Sequence, residues 1–89
     1  MLVLYTQDRC GYCDILKNKL DDWGQQYTES NIMHDQKALI FMKNAGHRTV
    51  PQLYYDGQDM LRGESTALTH DLLIERMDES WGERPELSF

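Results

Sequence analysis

Leu2-Val3-Leu4-Tyr5-Thr6-Gln7-Asp8-Arg9-Cys10-Gly11-Tyr12-Cys13 is the stretch that decides the fold. Leu2 to Tyr5 has the length and apolar character of a buried strand, and Thr6 to Arg9 reads as a polar loop. A helix should begin at Cys10 to Tyr12. Leu16, Leu20 and Trp23 recur at i, i+4 and i+7 with Ile15 beside them, and Gly24 is a helix stop. The two cysteines therefore fall where a strand hands over to a helix. Trp23, on its helical spacing, belongs to the core rather than to a site.

Outward from this junction the pattern continues in short elements. Tyr27 to Ile32 suits a second strand, weakly, because Glu29, Ser30 and Asn31 are poor strand formers. Asp35 can cap a second helix with Ala38, Leu39, Met42 and Ala45 as its apolar stripe and Gly46 as its end. Gln52 to Tyr55 reads as a third strand. Asp56-Gly57 is a hairpin signal, so Gln58 to Leu61 should return antiparallel until Gly63 breaks the strand. Ser65 or Thr66 can cap a last helix whose apolar positions are Leu68, Leu72, Leu73, Met77 and Trp81. From Asp78 onward the chain is polar and acidic, and the domain is drawn over residues 1–80 with a tail at 81–89. The order β-α-β-α-β-β-α defines an α/β fold. Its first three elements form a βαβ unit with parallel strands and a right-handed crossover. The hairpin adds an antiparallel pair, giving a four-stranded mixed sheet flanked by helices.

Composition narrows the function. Eighty-nine residues make one domain. A net charge of −6 argues against a general nucleic-acid binder, which needs a basic footprint. Two cysteines are too few for a secreted disulfide scaffold, and one lone CxxC with His34, His47 and His70 scattered does not make a four-ligand zinc site. His34 and His70 read as surface residues. The opening apolar run of five residues is shorter than the about 7–15 of a signal peptide, and nothing approaches the ~20 apolar residues of a membrane span. The expectation is a cytoplasmic, monomeric protein that binds neither membrane nor nucleic acid, in a compartment where a lasting disulfide is unusual.

At a strand–helix junction a CxxC has a mechanical purpose. The helix N-terminus has unpaired N–H groups and a partial positive charge, so a thiolate there is stabilised and its pKa falls. Cys10 at the mouth of the helix would attack a substrate disulfide. Cys13, one turn in and more buried, would resolve the mixed disulfide by attacking Cys10. Arg9 assists the thiolate and Asp14 opposes it. Tyr12 flanks the thiol as a substrate contact. Thr49-Val50-Pro51 is a second site element: proline belongs at a strand start, and Val50 before it is extended, with backbone groups free to pair with a peptide-like substrate. Because only about 5–6% of X–Pro bonds are cis, the residues alone predict a trans bond before Pro51.

Taken together these residues resemble a glutaredoxin of the thioredoxin-like fold, over about residues 1 to 68. The resemblance is carried by Leu4-Tyr5-Thr6 leading to Cys10-Gly11-Tyr12-Cys13, by Gly46-His47-Arg48-Thr49-Val50-Pro51-Gln52, and by the Asp56-Gly57 hairpin. The compact size is similar to that of small phage and bacterial glutaredoxins. Thioredoxins usually carry a tryptophan before the first cysteine, where Arg9 stands here.

The resemblance implies a dithiol glutaredoxin cycling Cys10 and Cys13, with glutathione as reductant and no metal. Its substrates would be protein disulfides or glutathione mixed disulfides, and ribonucleotide reductase is one implied acceptor. It implies a cis bond before Pro51 and main-chain pairing of Val50 with the cysteinyl part of glutathione. Tyr12 and Thr49 would be further contacts. Arg62-Gly63-Glu64-Ser65-Thr66 matches the family stretch that holds the γ-glutamyl carboxylate at a helix start. There Gly63 matches, while Ser65 and Thr66 replace acidic residues. Gln7 stands where the family often has lysine, and Arg48 would take that role on the glycyl carboxylate. Gly11 stands where proline is usual. Three alternatives stay open: a glutaredoxin-like thioredoxin fed by thioredoxin reductase, an iron–sulfur cluster carrier bridging two subunits with glutathione, and a binding module reusing the fold.

Overall fold

β1 (Leu2–Thr6) forms in a computed structural model that describes residues 1–63 and 67–82. Its alternation is visible in burial: Leu2, Leu4 and Thr6 are buried, while Val3 and Tyr5 are half-buried on the opposite face. β1 is paired on both edges. β2 (Tyr27–Asn31) runs parallel to it with Leu4 opposite Glu29, and β3 (Gln52–Tyr55) runs antiparallel with Leu4 opposite Leu53. β4 (Gln58–Asp59) pairs with β3, so the sheet order is β2-β1-β3-β4.

Helix α1 (Gly11–Asp22) buries Cys13, Leu16 and Leu20. Leu16 and Leu20 join Leu2, Leu4, Leu53, Met60, Leu61, Leu68 and Leu73 in the main core. α3 (His70–Gly82) contributes Leu73, with Leu72 and Met77 packed against the same cluster. Trp23 is the C-cap of α1 and is half-buried against this core, stacked on the His70 ring at 5.3 Å. His70 is thereby half-covered, not a plain surface residue, and its Nε2 lies 3.1 Å from Gln25 Nε2. His34 is exposed and meets the Asp8 carboxylate at 3.0 Å.

α2 (Gln36–Asn44) starts as expected at Asp35, whose Oδ1 accepts the backbone N–H groups of Lys37 and Ala38. Ala38 and Met42 are buried, but Ala45 is exposed because it is the C-cap, beyond the packed stripe. On this side of the sheet Tyr5 stacks on Phe41 at 5.1 Å, and Tyr54 meets both rings edge-on. Burial raises the Tyr5 and Tyr54 phenols above their ordinary pKa, with Asp35 adding to the shift at Tyr5 and Asp59 at Tyr54.

β2 forms despite its weak propensity because its backbone is committed to β1 over the whole strand. Its one carboxylate is also tied down. Glu29 accepts from the Thr6 hydroxyl at 2.8 Å and from Lys17 Nζ at 3.2 Å. The hairpin turns at Asp56 (φ 48) and Gly57 (φ 84), both in the left-handed region that such a turn needs.

Three boundaries differ from the sequence reading. β4 stops at Asp59 instead of Leu61, because Asp59 Oδ1 accepts from the N–H groups of Leu61 and Arg62 at 3.0 Å each and closes a turn. The buried Arg76 of α3 then takes the carbonyls of Met60 and Leu61. α3 begins at His70, not after Ser65 or Thr66: the Thr69 hydroxyl accepts from Leu72 N–H, so Leu68 precedes the helix. α3 also continues past Asp78 to Gly82. The expected capping by Ser65 and Thr66, the packing of the Trp81 side chain and the remaining tail fall outside the described residues. Among the described residues no helix is long and apolar enough to cross a membrane.

Two measurements check this account. Asp35→Ala should lower stability by about 1 kcal/mol in urea unfolding, the usual loss for a carboxylate N-cap. The Thr6 hydroxyl, followed by Lys17, holds the Glu29 carboxyl below its ordinary pKa. A carboxyl with a depressed folded-state pKa stabilises above its unfolded value and loses that contribution as pH falls through the folded one. Glu29→Gln should therefore flatten the loss of stability on acidification below about pH 4–5, read as the urea midpoint against pH. An unchanged profile would contradict the assigned role.

Candidate active site

The loop leaving the C-terminal end of β1 delivers Cys10 to the start of α1. Cys10 is the N-cap, with extended backbone (φ −108°, ψ 105°). Its carbonyl accepts the first helical bond from Asp14 N–H at 3.2 Å, and its Sγ accepts the Cys13 N–H at 3.1 Å. Cys10 and Cys13 are joined as a disulfide with Cα atoms 5.2 Å apart. Cys13 is 1% exposed and Cys10 is half-buried at the surface. The two sulfurs thus differ in access, and the outer one has a helix N–H aimed at it.

The opposite wall comes from the residues before β3. Tyr5 is paired with Gln52, so the N-terminal end of β3 lies beside the C-terminal end of β1. This brings Val50 and Pro51 to the cysteine end of the sheet. The Val50–Pro51 bond is cis. The trans expectation from base rates is overturned, and the expectation carried by the family resemblance is met.

Two clefts share a partition of Tyr12, Thr49 and Val50. The smaller, about 270 Å³, is completed by Pro51, Gln52, Leu61 and Gly63. The larger, about 650 Å³, contains Cys10, Arg9, Arg48, Lys43 and His47 along its rim. Tyr12 is 60% exposed and reaches both. Of the residues singled out in the sequence, Cys10, Tyr12, Arg48, Thr49, Val50, Pro51 and Gly63 meet at these two clefts, with Cys13 buried beneath. Arg48 and Gly63 stand on opposite sides of the partition. Ser65 and Thr66 lie outside the described residues. Gln7 lines the larger cleft.

Asp14 is well exposed, 3.6 Å from Lys17, and lines neither cleft. Arg9, in a left-handed conformation (φ 57°), does line the cleft that holds Cys10. The helix end, the Cys13 N–H and Arg9 all favour a thiolate, while the opposing carboxylate has a cation of its own. At Gly11 an added Cβ would meet nothing within 4 Å, so the missing proline does not reflect a lack of space.

Several site residues were not legible as such. Gln52 is 6% exposed; its Nε2 donates to the Thr49 carbonyl at 3.2 Å, fixing the loop before Pro51. Its Oε1 has no hydrogen-bond partner among the described residues although it is buried beside the smaller cleft. A glutamine opening a strand carries no sequence signal for this. Lys43 and His47 reach the larger cleft through the end of α2, and His47 Nε2 shares a 2.6 Å hydrogen bond with the Tyr54 hydroxyl. Arg76, which no sequence pattern singles out, anchors the segment leading to Gly63. Among the described residues no three His, Cys, Asp or Glu side chains converge as a metal site.

The sequence model of the glutaredoxin family matches residues 2–60, and the chain belongs to that family. Glutaredoxin 1 of Rickettsia felis is 34% identical over 58 residues, covering 62% of this chain and 57% of the relative. The chain thus spans little more than half the length of that protein. In structure it is similar to the glutaredoxin-like protein NrdH-redoxin from Escherichia coli, described as having a thioredoxin-like activity profile. The TM-score is 0.62 at 19% identity, over 65% of this chain and 76% of that one. It is also similar to buckwheat glutaredoxin in complex with glutathione, with TM-score 0.58 at 22% identity, over 89% and 69% of the two chains. At these identities the structural likeness is one of fold.

The asymmetry between the sulfurs has a direct readout. In the reduced chain, brief iodoacetamide treatment near neutral pH should place one adduct on the tryptic peptide 10–17, at Cys10, with Cys13 unmodified. The thiolate absorbance should titrate below the about 8.5 of a free cysteine. Equal labelling of both sulfurs would contradict the geometry.

Proposed function

We propose that this chain is a dithiol–disulfide oxidoreductase that reduces protein disulfides and glutathione mixed disulfides in the cytoplasm, acting as a monomer with glutathione as its reductant. The observation that carries the reading is the Cys10–Cys13 pair at the N-terminus of α1, with Cys10 in one cleft with Thr49 and with Val50, the residue before cis-Pro51.

The Cys10 thiolate attacks one sulfur of the substrate disulfide. A Cys10–substrate disulfide forms, the substrate S–S bond breaks, and the departing sulfur takes up a proton. Cys13 gives up its proton and attacks Cys10 Sγ, forming the Cys10–Cys13 disulfide and releasing the second substrate sulfur as a thiol. Two electrons and two protons pass to the substrate. Two glutathione molecules then return them, leaving glutathione disulfide. The family potential of about −200 to −230 mV sits near the cytosolic glutathione poise, so the exchange runs with small bias. Tyr12, Thr49 and the extended Val50 would align the peptide part of the substrate. Gly63 would approach the γ-glutamyl end and Arg48 the glycyl carboxylate. Ribonucleotide reductase is a proposed acceptor on the strength of the family resemblance.

A second reading, reduction by thioredoxin reductase, is favoured by one observation. Gln7, an uncharged residue, lines the cleft where the resemblance expects a lysine for glutathione.

A coupled assay separates the two. Oxidation of NADPH should proceed with glutathione and glutathione reductase. Turnover only with thioredoxin reductase would replace glutathione as the donor. Cys10→Ser should abolish reduction with either donor, whereas Cys13→Ser should accumulate a covalent Cys10–substrate disulfide visible by mass.

A further inference from the structure

We infer that the larger cleft beside Cys10 receives an extended acidic segment of the protein whose disulfide is reduced. The inference rests on the oxidoreductase reading and names the substrate class of that same site.

Arg9 from the β1–α1 loop, Lys43 from the end of α2 and Arg48 from the loop before β3 are brought to one cleft of about 650 Å³ by separate parts of the chain. No Asp or Glu lines it among the described residues. Lys17 and Arg62 are paired with Glu29 and Glu79, but Arg9, Lys43 and Arg48 make no ion pair among the described residues. In a chain with 15 acidic and 9 basic side chains, three cations with no ion pair among the described residues line the cleft that holds Cys10 and form a local field opposite to the net charge. Ile32, Leu39 and the buried Met42 give the same cleft an apolar lining.

The net charge of −6 does not cancel this attraction. At physiological salt the screening length is about 8 Å, so a segment in the cleft responds to the cations lining it more than to remote carboxylates. Elsewhere Lys17 and Arg62 already face carboxylates of this chain, so they offer an acidic partner less than the cleft does. Extent argues for a protein segment over glutathione alone. The smaller cleft, about 270 Å³, already carries Val50, Pro51 and Gly63, where a tripeptide's cysteinyl and γ-glutamyl parts would sit. The larger one continues away from it along α2 to Lys43.

The test uses the whole pre-reduced chain in single-turnover reactions, with formation of the Cys10–Cys13 disulfide as readout. Three peptides each carry one cysteine in mixed disulfide with the same small neutral thiol, flanked by Asp/Glu, by Ser/Gln or by Lys. The acidic peptide should react about tenfold faster than the neutral one, and the Lys peptide slower still. The differences should collapse near 1 M salt, where screening shortens to about 3 Å. Lys43→Glu, at an exposed position, should lower the ratio of acidic to Lys-peptide rates.

Equal rates for the three peptides, or a preference insensitive to both salt and Lys43→Glu, would overturn the proposal. So would a neutral peptide carrying glutathione as its mixed-disulfide partner that outpaces the acidic one, since the cleft would then belong to the tripeptide's carboxylates. If none of the peptides, nor a small neutral disulfide, oxidises the chain, it is the oxidoreductase reading that fails.

Discussion

β1 is hydrogen-bonded on both edges, and the placement of the reactive end follows from that. Its parallel partner β2 requires a crossover, so α1 must leave the C-terminal end of β1 and pack back over the sheet through Leu16 and Leu20. Its antiparallel partner β3 must begin where β1 ends. The start of α1 and the residues before β3 therefore meet at one edge of the sheet, although Cys10 and Pro51 are far apart in sequence. Leu4 and Leu53, opposite each other and fully buried, hold this register. A one-residue slip would turn both out of the core.

The same sheet divides labour between its faces. One face carries the aliphatic core shared by α1 and α3. The other is covered by α2, through Phe41 on Tyr5 and Tyr54. The end of α2 then overhangs the cysteine side and supplies Lys43, while the loop behind it supplies His47 and Arg48. On the far side Arg76 and Asp59 fix the segment that leads to Gly63. Both walls of the site are held by residues whose roles are backbone anchoring and packing rather than chemistry.

Much of this was legible beforehand, for identifiable reasons. Periodicity in α1 and α2, the Asp35 cap and the Asp56-Gly57 turn are local signals, and each appeared where local rules put it. β4 and α3 shifted because their ends are set by side chains competing for backbone groups. Asp59 stops pairing two residues early, and Thr69 accepts the Leu72 N–H at the start of α3. β2 had little propensity of its own and was recruited by pairing with β1. In the site, the CxxC and Thr49-Val50-Pro51 announced themselves as motifs. Gln52, Lys43 and His47 did not, since nothing about those residue types at those spacings marks them until the fold puts them beside a sulfur.

By itself the sequence determined that a strand leads into a helix at Cys10, that the two sulfurs lie one helical turn apart, and that a hairpin follows a proline. Those features depend only on neighbours along the chain. The tertiary structure decided between the trans bond that base rates favour and the cis bond before Pro51, and it placed both clefts away from Asp14. It also decided that three cations gather at the reactive end of an acidic protein. These outcomes come from contacts between distant segments, whose closeness is set by strand register and helix packing.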